Sequence, residues 1–331
     1  MKRMHKNVLT LLCRALAALM LVTLLPFAAF AEEAPARLRV ATLKGPTGMA
    51  MARLMEEYAD EYDFTVAGAP EELTGLIVNG SVDIAAVPSN LGAVLYNKTG
   101  GQVKLLSIIA RSMLYVLEKG DTIQSPADLA GKTIVTSGQG SLPEYVLNYV
   151  LSQYQVENVT VDYKAEHTEV ITLAAAGQAD VVIVPEPHVT SLLTKDPSFR
   201  VALNLGDCFD EAAAAAGYAD AKLSMSAVVV RTDALENQTD AVQAFLTRLE
   251  DSVAYAADPE TMEACAQAVA DQGILPSAQV ALKALPNCNL TFVAGADMQP
   301  QLMPLYQVLF DANPAAVGGK LPGDDYFVTL D

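Results

Sequence analysis

The sequence predicts an α/β protein with two doubly wound lobes, in which one arrangement of strands and helices is built twice. Two stretches of the chain are near-copies, and three residue pairs align in the same order: Gly80 with Gly177, Asp83 with Asp180 and Pro88 with Pro185. In each copy a small-residue turn leads into a short apolar run that a proline ends. Such a run is typical of a strand buried on both faces, as in a parallel sheet.

A second pair of matching segments lies upstream of these copies. Thr42–Gly48 and Thr136–Leu142 each follow a β-type run, contain small residues and open a predicted helix. The spacing between the copies exceeds the roughly 20–50-residue period of solenoid repeats. We therefore interpret the repeat as one βαβαβ half built twice, and we expect a ligand site where the carboxyl ends of the strands face each other.

Residues 1–31 are predicted to be a secretory signal and not part of the fold. They combine a basic start, an apolar block at Ala15–Leu25 and an Ala-Phe-Ala end, with cleavage expected before Glu32. An uncleaved membrane anchor is the alternative, but the block is short for a membrane span and Pro26 follows it. Lipid attachment at Cys13 is not expected. The protein is thus expected to be exported, to the periplasm or to the outer face of the cytoplasmic membrane.

The composition is acidic, with a formal net charge of −18. Such a surface repels nucleic acid and anionic lipid, so we expect neither as a partner. Beyond the signal, Cys208, Cys265 and Cys288 allow one disulfide and one free thiol. Cys265 and Cys288 are the favoured pair because both fall in the same predicted lobe. The sequence has no Cys-x-x-Cys motif, and no cysteine is expected near the site, so a redox role has no support.

Lobe one is predicted to be discontinuous, formed by residues 32–118 and 225–331. Ser89 and Asn90 both suit the N-cap of one of its helices. After residue 231 the apolar periodicity predicts helices only, and residues 318–325 a loop. Strands are expected at residues 38–43, 63–67, 84–87, 103–109 and 113–117, and helices from Gly48 through Tyr58, at 71–79 and from Ser89.

Lobe two is predicted between these two segments, at residues 119–224. Residues 225–230 then lead back to lobe one. Strands are expected at residues 133–136, 159–163, 181–184 and 200–205, and helices after Ser141, from Glu166, from Pro187 through Leu193 and at 211–217.

Two loops of lobe two have the composition of phosphate-binding segments. Gly131-Lys132-Thr133 mimics the end of a P-loop but precedes a strand, so nucleotide binding is not predicted. Ser137–Ser141 has the required context, because it follows a strand and opens a helix. Its glycines let the backbone approach a ligand, and the free N–H groups of a helix start favour an anion or carboxylate. A purely structural turn explains the loop equally well.

Taken in order along the chain, these motifs resemble the substrate-binding proteins of bacterial ABC importers. Within that group they are most similar to the nitrate/sulfonate/bicarbonate and thiamine-precursor branch of the type II periplasmic-binding-protein fold. The resemblance covers the chain after the signal and depends on five segments: Gly45–Gly48, Asn79–Asn90, Ile123–Thr133, Ser137–Gly140 and Val184–Pro187.

The resemblance implies two α/β lobes joined by two hinge strands, which enclose a small polar or anionic ligand. The closed form would be presented to an ABC permease and its ATPase, by a monomer without cofactor, metal or catalytic residue. Carried over residue by residue, the ligand-facing positions would be Lys44, Gly45, Thr47, Gly48, Ser89, Asn90, Ser137, Gly138, Gln139, Gly140, Ser141 and Glu186.

Two histidines, His167 and His188, are added to this candidate site from their position just past predicted strand ends. They could form hydrogen bonds with the acceptor atoms of a ligand, or titrate together with Glu166 and Glu186. Solvated loop histidines are the alternative. A metal site formed by His167, His188 and Glu186 has no support from their spacing.

Two other functional classes are compatible with the same fold. One is an extracytoplasmic sensor or receptor that serves no transporter. The other is an enzyme, either a menaquinone-pathway lyase or a thiamine-pyrimidine synthase. The export signal argues against the enzymes, and the chain has neither the cysteine-rich run of the synthase nor a Gly-x-Ser-x-Gly motif. Nitrate, sulfonates and thiamine pyrimidines all stay open as ligands.

Overall fold

The structure is a computed structural model that describes residues 37–330. The predicted secretory signal, residues 1–31, lies outside the described residues. Two β-sheets with helices packed against them make up the described part of the chain. Within this part, no helix has both the length and the apolar character that a membrane crossing requires.

The first sheet has six strands in the order β11-β4-β10-β3-β1-β2. Strands β1, β2 and β3 are parallel, while β10 runs antiparallel to both β3 and β4. The strand bounds are β1 Leu38–Leu43, β2 Tyr62–Ala67, β3 Ile84–Pro88, β4 Val103–Arg111, β10 Ser224–Arg231 and β11 Leu290–Ala294.

The second sheet has five strands in the order β7-β6-β8-β5-β9. Strands β6, β7 and β8 are parallel, and β5 runs antiparallel to its neighbours β8 and β9. The strand bounds are β5 Leu114–Lys119, β6 Thr133–Ser137, β7 Thr160–Lys164, β8 Val181–Pro185 and β9 Phe199–Asn204.

Helices follow most of these strands and cover both faces of the sheets. Short 3₁₀ helices lie at Pro126–Leu129, Leu285–Asn287, Gly295–Asp297, Pro314–Val317 and Asp324–Tyr326. The α-helices are α1 Pro46–Met49, α2 Ala52–Glu57, α3 Pro70–Val78, α4 Ser89–Lys98, α5 Leu142–Gln153, α6 His167–Ala175, α7 His188–Lys195, α8 Leu205–Ala215, α9 Thr232–Asn237, α10 Thr239–Ala257, α11 Met262–Asp271, α12 Ala278–Ala284 and α13 Met298–Ala312.

The two sheets repeat one strand arrangement, which confirms the predicted doubled α/β fold. In each sheet a central strand, β1 or β6, lies between two parallel neighbours, and an antiparallel strand follows beyond β3 or β8. The aligned glycines also match, because Gly80 and Gly177 have φ of 76° and 72°. Both positions thus need the left-handed conformation that glycine adopts without strain.

Strands β3 and β8 are buried on both faces, as their short apolar runs predict. Along β3, Ala85 and Val87 belong to one apolar cluster and Ile84 and Ala86 to another. Residues 181–184 of β8 alternate between two clusters in the same way. Because alternate side chains of a strand point to opposite faces, each strand has apolar partners on both sides. A fully buried aliphatic side chain contributes about 1.5–3 kcal/mol, so these strands anchor the two sheets.

The chain passes between the two sheets at a common junction. It leaves the first sheet after Arg111, enters the second at Leu114, and returns to the first at Ser224. At this junction Arg111 pairs with Ser224 and Leu114 pairs with Pro185. The change of sheet precedes the lobe boundary predicted after residue 118, and that division of the chain into two lobes stays a prediction.

Three predicted elements differ from the structure. The segment that contains β11 was expected to be helical, but its β-branched and aromatic residues pair with β4 at the edge of the first sheet. Helix α8 starts well before the predicted residue 211, because Asn204 Oδ1 accepts hydrogen bonds from the N–H groups of Gly206 and Asp207 at 3.1 and 3.4 Å. The helix expected through Tyr58 is divided into α1 and α2.

The aspartates of the two copies have different environments. Asp83 is 5% exposed, and its carboxylate accepts hydrogen bonds from the backbone N–H of Arg39 at 2.8 Å and from Arg39 Nε at 3.0 Å. Asp180 is exposed. Because Val135 pairs with Val182, the register places Thr133 opposite Asp180, where the first sheet has Arg39. The second copy therefore lacks the ion pair.

We predict that Asp83→Ala lowers the free energy of unfolding by about 2–3 kcal/mol. This loss is smaller than the loss expected when a fully buried ion pair is broken, because the Arg39 side chain is 43% exposed and solvent screens its charge. Asp180→Ala is the matched control and should change stability by less than about 0.5 kcal/mol. Urea denaturation of both variants measures the difference, and equal losses would contradict the role of the ion pair.

Candidate functional site

The carboxyl ends of β3 and β8 face the junction of the two sheets. Pro88, which ends β3, pairs with Ser226 near the start of the returning strand, and Pro185, which ends β8, pairs with Leu114. The loop after β1 reaches the loop after β8, since a Cβ placed on Gly45 would lie 3.8 Å from Pro187 Cδ. The edges predicted to hold a ligand therefore meet.

On the second sheet, the structure brings three predicted site residues together. Ser137 ends β6, and His167 and His188 are the first residues of α6 and α7. Ser137 Oγ lies 2.6 Å from His167 Nδ1. The two imidazole rings have centroids 5.0 Å apart and an interplanar angle of 40°. The histidines thus form a tilted ring pair that is partly buried, and they start two helices, so they are not solvated loop histidines.

Burial holds the pKa of both histidines below the ordinary value of 6.5, which favours the neutral form. It lowers the pKa of His167 to about 3, with a further contribution from the neighbouring His188. It lowers the pKa of His188 to about 4, with a smaller contribution from Lys195. A neutral imidazole has one N–H donor and one acceptor nitrogen, so the pair can contact both donors and acceptors of a ligand.

Three helices start at this edge of the second sheet, namely α5, α6 and α7. The first turn of a helix has free N–H groups and a partial positive charge, which favour an acceptor or anionic group. The loop before α5 also forms hydrogen bonds of its own. The Gly140 N–H donates to Glu144 Oε2 at 2.5 Å, and Ser141 Oγ donates to the Gly138 carbonyl at 2.6 Å.

Gly138 and Gly140 have φ of 83° and 75°, so the turn itself requires glycine at these positions. Gln139, between them, is exposed. The loop is thus a tight turn with its own hydrogen bonds, and it places Ser137 beside the histidine pair. This geometry accounts for the glycines without a ligand.

Glu186 is a buried carboxylate at the same edge. Its side chain is 2% exposed. Its two oxygens accept hydrogen bonds from Thr190 N and Thr190 Oγ1, both at 3.1 Å, while its own N–H donates to the Met113 carbonyl at 3.0 Å. Burial raises the pKa of Glu186, and the Thr190 hydrogen bonds oppose that rise. Within residues 37–330 no basic side chain forms an ion pair with it.

On the first sheet, the side chains of the predicted residues are bonded within the fold. Ser89 Oγ donates to the Ser224 carbonyl at 2.5 Å, and Asn90 Nδ2 donates to the Ala316 carbonyl at 3.0 Å. The prediction that these residues cap α4 is wrong. Pro88 holds the N-cap position without a side-chain cap, because the Ser89 and Asn90 side chains bond distant carbonyls.

The loop after β1 offers mainly backbone and one exposed side chain. Thr47 Oγ1 donates to the Leu43 carbonyl at 3.1 Å. A Cβ on Gly48 would lie 2.7 Å from the Leu43 carbonyl oxygen, so close packing explains this glycine. The Lys44 side chain is exposed. The backbone N–H of Lys44 donates to the Ala67 carbonyl at 3.2 Å. Lys44 is therefore the exposed member of this loop, whereas Gly45 is buried where the loop approaches Pro187.

The sequence prediction missed residues that lie near Glu186. The Glu186 carboxylate contributes to the raised pKa of both Tyr115 and Cys288, after the larger effect of burial. The expectation that no cysteine lies near the site is therefore wrong. The three cysteines are free, buried thiols, and the favoured Cys265–Cys288 disulfide is not formed. Tyr115 comes near Glu186 because β5 pairs with β8, and Cys288 comes near it through the fold of the C-terminal part of the chain. No local motif could have indicated either residue.

The sequence spacing of His167, His188 and Glu186 gives no support for a metal site. Among residues 37–330 no group of three or more histidines, cysteines or acidic residues is arranged to hold a metal ion.

A family model described as NMT1/THI5 like matches residues 63–262, more than half of the chain. This match confirms the predicted family resemblance. No curated protein matches the chain.

Solved structures share the fold at low sequence identity. A crystal structure of an ABC transporter from Parabacteroides distasonis is 22% identical, with 89% of this chain and 99% of that chain covered and a TM-score of 0.73. The periplasmic aliphatic sulphonate binding protein SsuA from Escherichia coli is 17% identical, with 90% and 94% covered and a TM-score of 0.69. The alkanesulfonate-binding protein SsuA from Xanthomonas axonopodis pv. citri, bound to MOPS, is 19% identical, with 87% and 95% covered and a TM-score of 0.63. These likenesses confirm the predicted periplasmic-binding-protein fold.

We predict that the histidine pair makes stability fall as the pH drops from about 6.5 towards 4. The folded-state pKa values lie below the ordinary 6.5, so the unfolded chain takes up protons first. The stabilisation is complete above pH 6.5 and is lost through the folded pKa values. Each histidine adds at most about 1.4 kcal/mol per pH unit to the slope.

The double variant His167→Asn, His188→Asn should show a shallower slope in this window and the same slope as the original protein above pH 7. Chemical denaturation at several pH values measures this slope of the unfolding free energy against pH. The raised pKa of Glu186 acts in the opposite direction above its ordinary value of 4.5, and both proteins share it. Identical slopes between pH 4 and 6.5 would contradict the burial of the pair.

Proposed function

The chain belongs to the NMT1/THI5-like family, and on that premise we propose that it is an extracytoplasmic solute-binding protein of an ABC importer. It binds one small polar molecule between the facing edges of the two sheets and releases it unchanged. The permease and ATPase subunits of the importer are its partners. The fold shared with the Escherichia coli and Xanthomonas binding proteins supports this role.

The observation that carries the proposal is the convergence of the two sheets on one set of polar groups. Ser137, His167 and His188 meet at one edge of the second sheet, Glu186 and His188 both follow β8, and the Gly45 loop of the first sheet approaches Pro187. A ligand held between these groups would contact both halves of the chain only when the edges are close. Such contacts shift the population towards the closed form, with the connections at the sheet junction as hinges.

The site favours a ligand that has both an acceptor group and a donor group. The starts of α5 and α6 and the neutral histidines suit the acceptor, which can be a carboxylate or sulfonate, whereas the start of α7 is already bonded to Glu186. The buried Glu186 carboxylate suits an ammonium, amino or ring N–H donor, because it has no basic partner among the described residues. A simple inorganic anion would meet repulsion from Glu186 if that group were ionised. The ligand class is thus a small zwitterion or a polar heterocycle with an amino group.

A thermal-shift screen tests this proposal with matched pairs of compounds. Taurine against ethanesulfonate, and an aminopyrimidine against the unsubstituted pyrimidine, differ mainly in the donor group. A ligand at about 100 times its Kd stabilises the protein by roughly 2.7 kcal/mol. Binding by the members with a donor supports the proposed chemistry. Chemical conversion of a bound compound by the purified protein would contradict a binding role.

We predict that Glu186→Gln weakens the best ligand of that screen by about 10- to 100-fold, the effect of losing a hydrogen bond to a charged group. Glutamine keeps an acceptor for Thr190, so the variant should fold. Glu166→Gln, at an exposed position on the same edge, is the control and should leave the affinity within about twofold. Calorimetric titration of both variants measures the change, and equal effects would remove Glu186 from the site.

A further inference from the structure

A cavity lies away from the candidate site, between the C-terminal half of α5, the segment after α8 and the end of α13. Its volume is about 400 Å³, which is within the roughly 300–1,000 Å³ range of small-molecule pockets. The residues that line this groove include Asn148, Tyr149, Ser152, Tyr218, Val308 and Asp311.

This groove is separate from the sheet junction. Helix α5 begins at Leu142, beside the Ser137–Ser141 loop, and its groove residues begin at Asn148. At about 1.5 Å per residue, they lie roughly 9–16 Å further along the helix. A molecule in the groove would therefore not occupy the predicted ligand site.

The floor of the groove contains a polar group without a partner. Tyr149 is 7% exposed, and among the described residues its buried hydroxyl has no hydrogen-bond partner. Its ring packs against Phe209 with centroids 5.1 Å apart, which holds the side chain in place. Buried hydroxyls are rarely left unpaired, because the lost hydration is not replaced. A bound molecule with a polar group would supply the missing bond.

The charge of the groove selects the kind of molecule. Asp311 Oδ2 accepts a hydrogen bond from Tyr218 OH at 2.6 Å, and Oδ1 accepts one from Gln307 Nε2 at 2.8 Å. Both are neutral donors, and within residues 37–330 no basic side chain pairs with Asp311. The groove lining includes no lysine or arginine. Asp311 is exposed at the rim of the groove, where its charge repels an anionic ligand and attracts a cationic one.

We propose that this groove binds a small organic molecule with a primary ammonium group. The ammonium donates to the free lone pairs of Asp311 and to the hydroxyl oxygen of Tyr149. The alkyl part of the molecule packs on Val308 and on the ring of Tyr218. Tyr218 follows α8 and Asp311 lies in the last turn of α13, so the bound molecule contacts segments that are far apart in the chain.

Putrescine and 1,4-butanediol form the test pair, because they have the same chain length and differ in charge. Calorimetric or NMR titration of the purified protein should give a Kd of about 1 mM or tighter for putrescine, and no saturable binding of the diol. Equal binding of the two compounds would contradict the charge argument, and absence of putrescine binding up to about 10 mM would overturn the proposal.

Two conservative variants locate the binding. Asp311→Asn and Tyr149→Phe should each weaken putrescine at least about tenfold, which corresponds to the loss of one hydrogen bond. Tyr149→Phe removes only the unpaired hydroxyl, so its Tm should be equal to that of the original protein or higher. Glu236→Gln removes one charge from exposed Glu236 on α9 and is the control, with putrescine affinity unchanged.

Three results would overturn the proposal even if putrescine binds. The first is an unchanged affinity in Asp311→Asn. The second is an equal loss in Glu236→Gln, which would mean a general effect of net charge. The third is a loss in Glu186→Gln, which would place the binding at the sheet junction.

Discussion

The burial of β3 and β8 on both faces is the constraint on which the rest of the structure depends. Four consecutive apolar residues in each strand fill the layers above and below the sheet. No side chain of these strands is free to form a polar site, so the chemistry begins only after the prolines that end them. Pro88 and Pro185 therefore mark where the core stops and the candidate site starts.

The junction of the sheets turns two separate strand ends into one site. Arg111 pairs with Ser224 and Leu114 with Pro185, so the segments that connect the sheets lie directly beside both ends. Each half alone would present an open edge to solvent. At this junction Glu186 is 2% exposed and the histidine rings are partly buried, and burial is the largest cause of their shifted pKa values.

The acidity of the chain also bears on the chemistry of the candidate site and of the groove. With a net charge of −18, the chain attracts cations, and carboxylates without a basic partner add to that attraction locally. Within residues 37–330 buried Glu186 and exposed Asp311 are two such groups, one at the sheet junction and one in the groove between α5 and α13. The helix starts near Glu186 add partial positive charge, so that site suits a ligand with both kinds of group, whereas the groove suits a simple cation.

The sequence by itself determined the doubled α/β fold and the strand ends that bear the candidate site. It could do so because strand burial, turn glycines and terminating prolines are local patterns. It did not determine that the Ser89 and Asn90 side chains donate to the distant carbonyls of Ser224 and Ala316. Nor did it determine that β11 joins the edge of the first sheet. The tertiary structure alone decided that Ser137, His167 and His188 meet and that Cys288 and Tyr115 lie near Glu186. It also decided that the Tyr149 hydroxyl, in the same groove as Asp311, has no hydrogen-bond partner among residues 37–330. These contacts join residues far apart in the chain, and their energies depend on burial and distance, which no local pattern contains.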